Sequence, residues 1–258
     1  MNLLVRIILI LSLICSPAYA GITFDKVDDL LTCGTTDDIM EENVALTISA
    51  WIKPVSTGLN GGGRIIERLE TDGNPGVVFH MINTNTLRFL VAGSTNLIRT
   101  ASNSSVTLNA WNHVLVTWDG STTATGVSIY VNGTVTTYQT TTNGVSLADN
   151  SAQTVKIGDT SIANRTFDGT ITEVAVWQVV LTAQEISTLA LSRVKRMPLQ
   201  IQPASLDAYW PLDEEEDGSS ADGDTFVNYG VTSHTCTGID GTNNTGLTAT
   251  AEAVLSYA

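Results

Sequence analysis

Apolar and polar residues alternate with a period of two along much of the chain. ALTISAWIKP (45–54), GVVFHMIN (76–83), TLRFLVAG (86–93), WNHVLVTWD (111–119) and GVSIYVNGTVTTY (126–138) all follow it. Alternation rich in β-branched and aromatic residues predicts strands with one face buried. In WNHVLVTWD, Val114, Val116 and Trp118 fall on one face and His113, Leu115 and Thr117 on the other. Asn132-Gly133 predicts a two-residue hairpin, whose central positions need positive φ. Asn74-Pro75-Gly76 and Asn143-Gly144 mark further turns. Many short strands joined by such turns predict an all-β antiparallel sandwich.

The period changes once. Thr182-Ala183-Gln184-Glu185 has the form of a capping box, and Leu181, Ile186 and Leu189 supply an apolar stripe towards Arg193. After it, Pro198 and Pro203 punctuate an extended connection. The remaining stretch holds three strand candidates, DAYWPL, DTFVNY and AVLSY, too few for a core of their own. Residues 205–258 are therefore expected to fold back on the main sandwich, and 21–258 to form one domain.

The start of the chain follows another logic. Arg6, the apolar run from Ile7 to Cys15, and Ala18-Tyr19-Ala20 have the order of a secretory leader with an A-x-A cleavage site. The run is too short to span a bilayer. Ile14 occupies the position where lipoprotein processing at Cys15 needs a small residue. The expectation is a protein cleaved near Ala20 and located outside the cell or at its surface, with no membrane span.

Charge and cysteine content sharpen this picture. The full chain of 258 residues carries a net charge of −14, and loss of residues 1–20 removes one arginine and no acid. Nucleic-acid binding, which needs clustered cations, is excluded. Carboxylates in this number remain available to hard cations such as Ca²⁺. Only Cys33 and Cys236 lie beyond the leader. In an oxidising compartment they suggest one disulfide, against the alternative of two buried thiols.

Several segments resemble laminin-G-like, concanavalin A-type domains. FDKVDDLLTC (24–33), LTISAWIKP, WNHVLVTWD, IYVNG and FDGTITEVAVWQVVLTAQEIS (167–187) occur in that family's order. YWPLDEEEDG (209–218) resembles the strand and loop that usually open such domains, yet here it follows the helix. The resemblance implies a circularly permuted jelly roll in which 205–258 supplies the usual first strand and brings Cys236 towards Cys33. It also implies a structural Ca²⁺ held by acidic side chains, for which Asp25, Asp28 and Glu173 are the matching donors. Thr172 stands where the family pattern has Asp, which removes one donor.

No catalytic set emerges from the sequence. Retaining glycosidases need two carboxylates about 5–5.5 Å apart. Glu67 and Glu70, offset by three, fall on opposite faces of an extended chain, and Glu173 is alone in its strand. His80, His113 and His234 lack zinc-site spacing. Trp51, Trp111, Trp118, Trp177 and Trp210 all lie in strand patterns and are expected in the core. The acidic run from Asp213 to Asp217 reads as a solvated loop. The expectation is a non-enzymatic binding module for a glycan or surface polymer, with unknown ligand contacts. A self-assembling structural subunit of an extracellular or virion assembly is the alternative, and a glycoside hydrolase is a more remote one.

Overall fold

The alternating runs form two antiparallel sheets in the computed structural model, which describes residues 18–35, 39–69, 76–192, 194–213, 218–232, 234–240 and 246–253. In chain order the strands are β1 (Ala18–Asp25), β2 (Leu30–Thr35), β3 (Leu46–Pro54), β4 (Arg64–Leu69), β5 (Gly76–Ile82), β6 (Thr86–Val91), β7 (Gly93–Thr95), β8 (Leu97–Ala101) and β9 (Asn112–Trp118). Next come β10 (Val127–Val131), β11 (Thr134–Val135), β12 (Tyr138–Thr142), β13 (Val145–Leu147), β14 (Thr154–Ile157) and β15 (Asp168–Trp177). Helix α1 (Ala183–Leu191) precedes β16 (Leu206–Trp210), β17 (Thr225–Phe226), β18 (Cys236–Ile239) and β19 (Thr248–Ala253).

One sheet runs β11-β10-β9-β3-β15-β1-β19, and β16 also pairs with β15. The other runs β12-β8-β6-β5-β4-β14-β2-β18-β17, and β13 and β7 form a separate ribbon. The sequence alternation becomes packing directly. Val114, Val116 and Trp118 enter the core between the sheets with Ile48, Phe79 and Phe89. Leu115, pointing the other way, joins Trp177, Ile186 and Leu189 where α1 covers the outer face of the first sheet. Thr182 caps that helix as expected: its side chain accepts from the Glu185 backbone N–H, while Glu185 accepts from the Thr182 N–H. The Asn132-Gly133 hairpin also forms, with φ of 50° and 76° and Val131 opposite Thr134.

The C-terminal stretch adds strands to both sheets. β16 pairs with β15 (Val174 opposite Trp210), β18 with β2, and β19 with β1 (Ile22 opposite Ala249). Two strand candidates end up shorter or displaced. DTFVNY keeps only Thr225–Phe226 as strand. Asn228 Oδ1 accepts the N–H groups of Gly230 and Tyr209 there, so the side chain replaces a ladder partner and turns the chain. The last strand is Thr248–Ala253, upstream of most of AVLSY, and residues 254–258 lie outside the described residues. Cys33 and Cys236, both buried, form a disulfide between the adjacent strands β2 and β18.

Residues 1–17 lie outside the described residues, whereas Ala18, Tyr19 and Ala20 pair with Ala253, Glu252 and Ala251. Among the described residues no helix is long and apolar enough to cross a membrane.

Candidate functional site

The turn between β1 and β2 gathers acids. Carboxylate oxygens of Asp25, Asp28 and Asp29 lie within 4.8 Å of one another. Lys26 adopts φ of 70°, and Asp25 Oδ1 accepts the Val27 N–H at 2.8 Å, which folds the turn tightly. Asp29 Oδ2 accepts the Asp25 N–H at 2.7 Å. The tail supplies a fourth carboxylate, because Asp240 Oδ2 accepts the Gly246 N–H at 3.3 Å. Gly246 itself presses against the cluster: a Cβ there would lie 2.5 Å from Asp25 Oδ2 and 2.7 Å from Asp29 Oδ2.

Electrostatics mark this cluster as costly without a cation. Asp29 is fully buried, and its pKa rises to about 7, first through desolvation and then through the charges of Asp25 and Asp240, against the bond from the Asp25 N–H. Asp29 Oδ1 and Asp240 Oδ1 are buried and have no hydrogen-bond partner among the described residues. The donors are all anionic oxygens, the type that Ca²⁺ and Mg²⁺ take, although calcium uses six to eight oxygens in all. These residues fit a hard divalent cation. Of this cluster, the sequence singled out Asp25 and Asp28 and passed over Asp29 and Asp240.

Glu173, the third expected donor, lies elsewhere. β15 bulges against β3 between Thr172 and Ala175, and Glu173 sits in that bulge with φ of 53°. Its Oε2 accepts the Tyr209 hydroxyl at 2.7 Å and the Arg196 N–H at 3.2 Å. Burial raises its pKa to about 7, despite the lowering by these two bonds, and nearby Asp213 adds to the rise. Thr172 Oγ1 lies 2.7 Å from the carbonyl oxygens of Ala20 and Pro211. Both residues thus link β15 to neighbouring chain, and Glu173 does not join the Asp25–Asp28 cluster.

The aromatic and histidine positions are largely structural. Trp51, Trp118, Trp177 and Trp210 are buried, and Trp111 packs against Trp51. His113 shares a 2.9 Å hydrogen bond with Ser49, and burial lowers its pKa to about 3.

A second site lies on the side of β4, β5 and β6 that faces away from the core. Val77, Phe79 and Met81 point into the core, so Val78, His80 and Ile82 point out. Register places Arg64 opposite His80 and His80 opposite Arg88, giving one polar row across three strands. Over this row opens a cavity of about 330 Å³, lined also by Leu90, Asn83, Asn96 and Arg165. No carboxylate lines it among the described residues. Behind the row, Glu67 is fully buried and its Oε2 accepts Arg64 Nε at 2.8 Å. Desolvation raises the Glu67 pKa to about 7, opposed by the charges of Arg64 and Lys156. Glu70 lies outside the described residues.

The pocket arginines had no local motif. What the sequence does carry is alternation: TLRFLVAG puts Arg88 on the face of Leu90, and GVVFHMIN puts His80 on the face of Val78 and Ile82.

Comparison with family models matches residues 27–187 to Laminin_G_3, the concanavalin A-like lectin/glucanases superfamily. The chain belongs to this family. The matched laminin-G-like segment ends within α1, so β16 to β19 are additional to it. Among solved structures, a "putative carbohydrate binding protein" from Bacteroides ovatus superposes with a TM-score of 0.60 at 20% identity, over 92% of this chain and 60% of that one. The chain thus spans about 60% of that protein's length. A heptameric SAP-like pentraxin from Limulus polyphemus aligns with a TM-score of 0.47 at 21% identity, over 66% of this chain and 81% of that one. The CBM40 of Ruminococcus gnavus IT-sialidase, bound to alpha2,3 sialyllactose, aligns at 0.45 and 13% identity, over 67% and 96%. Comparison with curated proteins returned no match.

Proposed function

We propose that the protein is an exported, non-catalytic carbohydrate-binding module that takes its ligand on the outer face of the second sheet. The observation that carries this reading is the cavity over Arg64, His80 and Arg88. It is a concave site of ligand size with hydrogen-bonding groups set among apolar side chains. The family description names lectins as well as glucanases, and the Bacteroides ovatus structure of the same fold is named for carbohydrate binding. The described lining supplies no carboxylate pair for glycoside hydrolysis. Export rests on the leader-like order of residues 1–20.

The same reading gives the module a structural Ca²⁺ held by Asp25, Asp28 and Asp29, with Asp240 beside them. Such an ion offsets the buried charge. The chain's own part is to present these carboxylates and to hold Asp240 and Gly246 against the first turn.

A glycan-array screen of the purified protein, with calcium and again with chelator, tests both statements. Binding to a defined glycan is expected, weakened by chelator. Silence in both conditions, with large assemblies in light scattering, would overturn the reading in favour of a structural subunit.

A further inference from the structure

Arg88 is half-buried in the cavity and has no counter-ion among the described residues. Its Nε donates to Thr100 Oγ1 at 3.0 Å, and its two terminal amino groups meet no acceptor among the described residues. Burial lowers its pKa from the usual value, yet a guanidinium stays charged. Holding a desolvated cation unpaired is unfavourable, and an anion placed against its free edge relieves the cost.

The neighbouring groups differ in a telling way. Arg64 is already paired with Glu67, and its Nη1 lies 2.7 Å from His80 Nδ1. A guanidinium only donates, so Nδ1 accepts and the imidazole proton sits on Nε2. His80 is therefore neutral, a state that burial and three surrounding arginines enforce. Arg165 rests its stem on Gly62 at the rim, where a Cβ would come within 2.8 Å of Arg165 Cδ. Its Nη1 donates to the Asn60 carbonyl at 3.2 Å. In a chain of net charge −14, this is a local concentration of positive charge with no acid in the lining among the described residues.

We infer that the cavity takes the acidic residue of a glycan, a sugar bearing a carboxylate or sulfate, with Arg88 as the anion-binding group and Arg165 beside it at the rim. The inference rests on the carbohydrate-binding reading and narrows it. A bare anion would leave most of the cavity unused. Val78 and Leu90 offer an apolar floor to the C–H face of a sugar ring, and Asn83 and Asn96 offer amides to its hydroxyl groups. Asn96 Oδ1 accepts the Gly93 N–H, which fixes that amide and leaves its N–H₂ to donate.

The test is calorimetric titration of the purified protein with oligouronides, sialyllactose and sulfated galacto-oligosaccharides, each beside its uncharged counterpart. Inorganic sulfate serves as the anion-only arm. At least one acidic oligosaccharide should bind tenfold or more tightly than its uncharged partner and than sulfate. Arg88→Gln should lose about tenfold to a hundredfold of that affinity, the scale of a hydrogen bond to a charged group. Arg165→Gln, at the half-exposed rim, should lose a smaller factor. Equal binding of charged and uncharged sugars, or acidic binding that ignores both substitutions, would overturn the inference while leaving carbohydrate binding intact. Sulfate binding as tightly as the sugars would reduce the site to a simple anion hole and overturn it too. Failure of every sugar would overturn the inference together with the reading on which it stands.

Discussion

Replacing Tyr209 by Phe isolates one hydrogen bond at the junction of β15 and β16. The ring remains, including its 6.3 Å tilted contact with Tyr229, and only the hydroxyl that donates to Glu173 is lost. Burial and the neighbouring Glu173 raise the Tyr209 pKa, so this hydroxyl keeps its proton throughout the working range. Glu173 does change state, with a folded pKa of about 7 against an ordinary 4.5. A raised folded pKa stabilises the fold fully below 4.5, and the contribution is lost as pH rises through 7. At pH 5 the lost bond is one to a neutral carboxyl, worth about 0.5–1.5 kcal/mol; at pH 9 it is one to a carboxylate, worth about 1.5–3 kcal/mol. The substitution should therefore cost about 1 kcal/mol more at pH 9 than at pH 5. Urea unfolding followed by tryptophan fluorescence at pH 5, 7 and 9 measures it, provided that the slope with urea is unchanged. Glu67 and Asp29 titrate over the same range in both proteins and cancel in the difference. An equal cost at the two extremes, or none at either, would refute the assignment of Glu173 as a buried carboxylate restrained by Tyr209.

Two further outcomes follow from the tail. Cys33→Ser with Cys236→Ser opens a loop with a sequence separation of 203 residues. The double variant should lose up to about 5 kcal/mol, read from the denaturant midpoint, and a midpoint equal to that of the oxidised parent would count against the chain-entropy account. Calcium should raise the melting temperature of the parent protein but not of Gly246→Ala or Asp29→Asn, since one pushes a methyl into the carboxylates and the other removes a buried ligand. A calcium-induced rise that survives both changes would place the ion elsewhere.

The parts of the fold that could be read in advance are those written in local pattern. WNHVLVTWD contains β9 with its two faces correctly divided, and T-A-Q-E contains the cap of α1. DTFVNY misled because strand propensity says nothing of an Asn228 amide that substitutes for a strand neighbour. The sites divide along the same line. Asp25 and Asp28 stood out through the resemblance of FDKVDDLLTC to the family's opening strands, whereas Asp240 reaches them only because β18 pairs with β2. Arg64, Arg88 and Arg165 are far apart in sequence, and register across β4, β5 and β6 is what gathers the first two. The resemblance grouped Glu173 with Asp25 and Asp28, but in the β15 bulge its carboxylate bonds to Tyr209 and Arg196 instead. Chemistry assembled by pairing register leaves little trace in a linear string.

The pairing of β1 with β19 also decides how the molecule would bear load. Gly21, the residue after the expected cleavage site, lies opposite Thr250, so the ends of these two antiparallel strands emerge side by side. Tension applied between them would open the ladder like a zipper, one pair after another towards Thr23 and Thr248. Once slack up to Cys33 and Cys236 is drawn out, the covalent link carries the force and the chain between them feels none. The stretch that yields contains Asp25, Asp28, Asp29 and Asp240; the shielded stretch contains Arg64, His80, Arg88 and Arg165. A force–extension trace with handles at residues 21 and 250 should show a short, soft opening that ends abruptly. A pull at the ends would thus scatter the carboxylates first and leave the arginine-lined hollow in place.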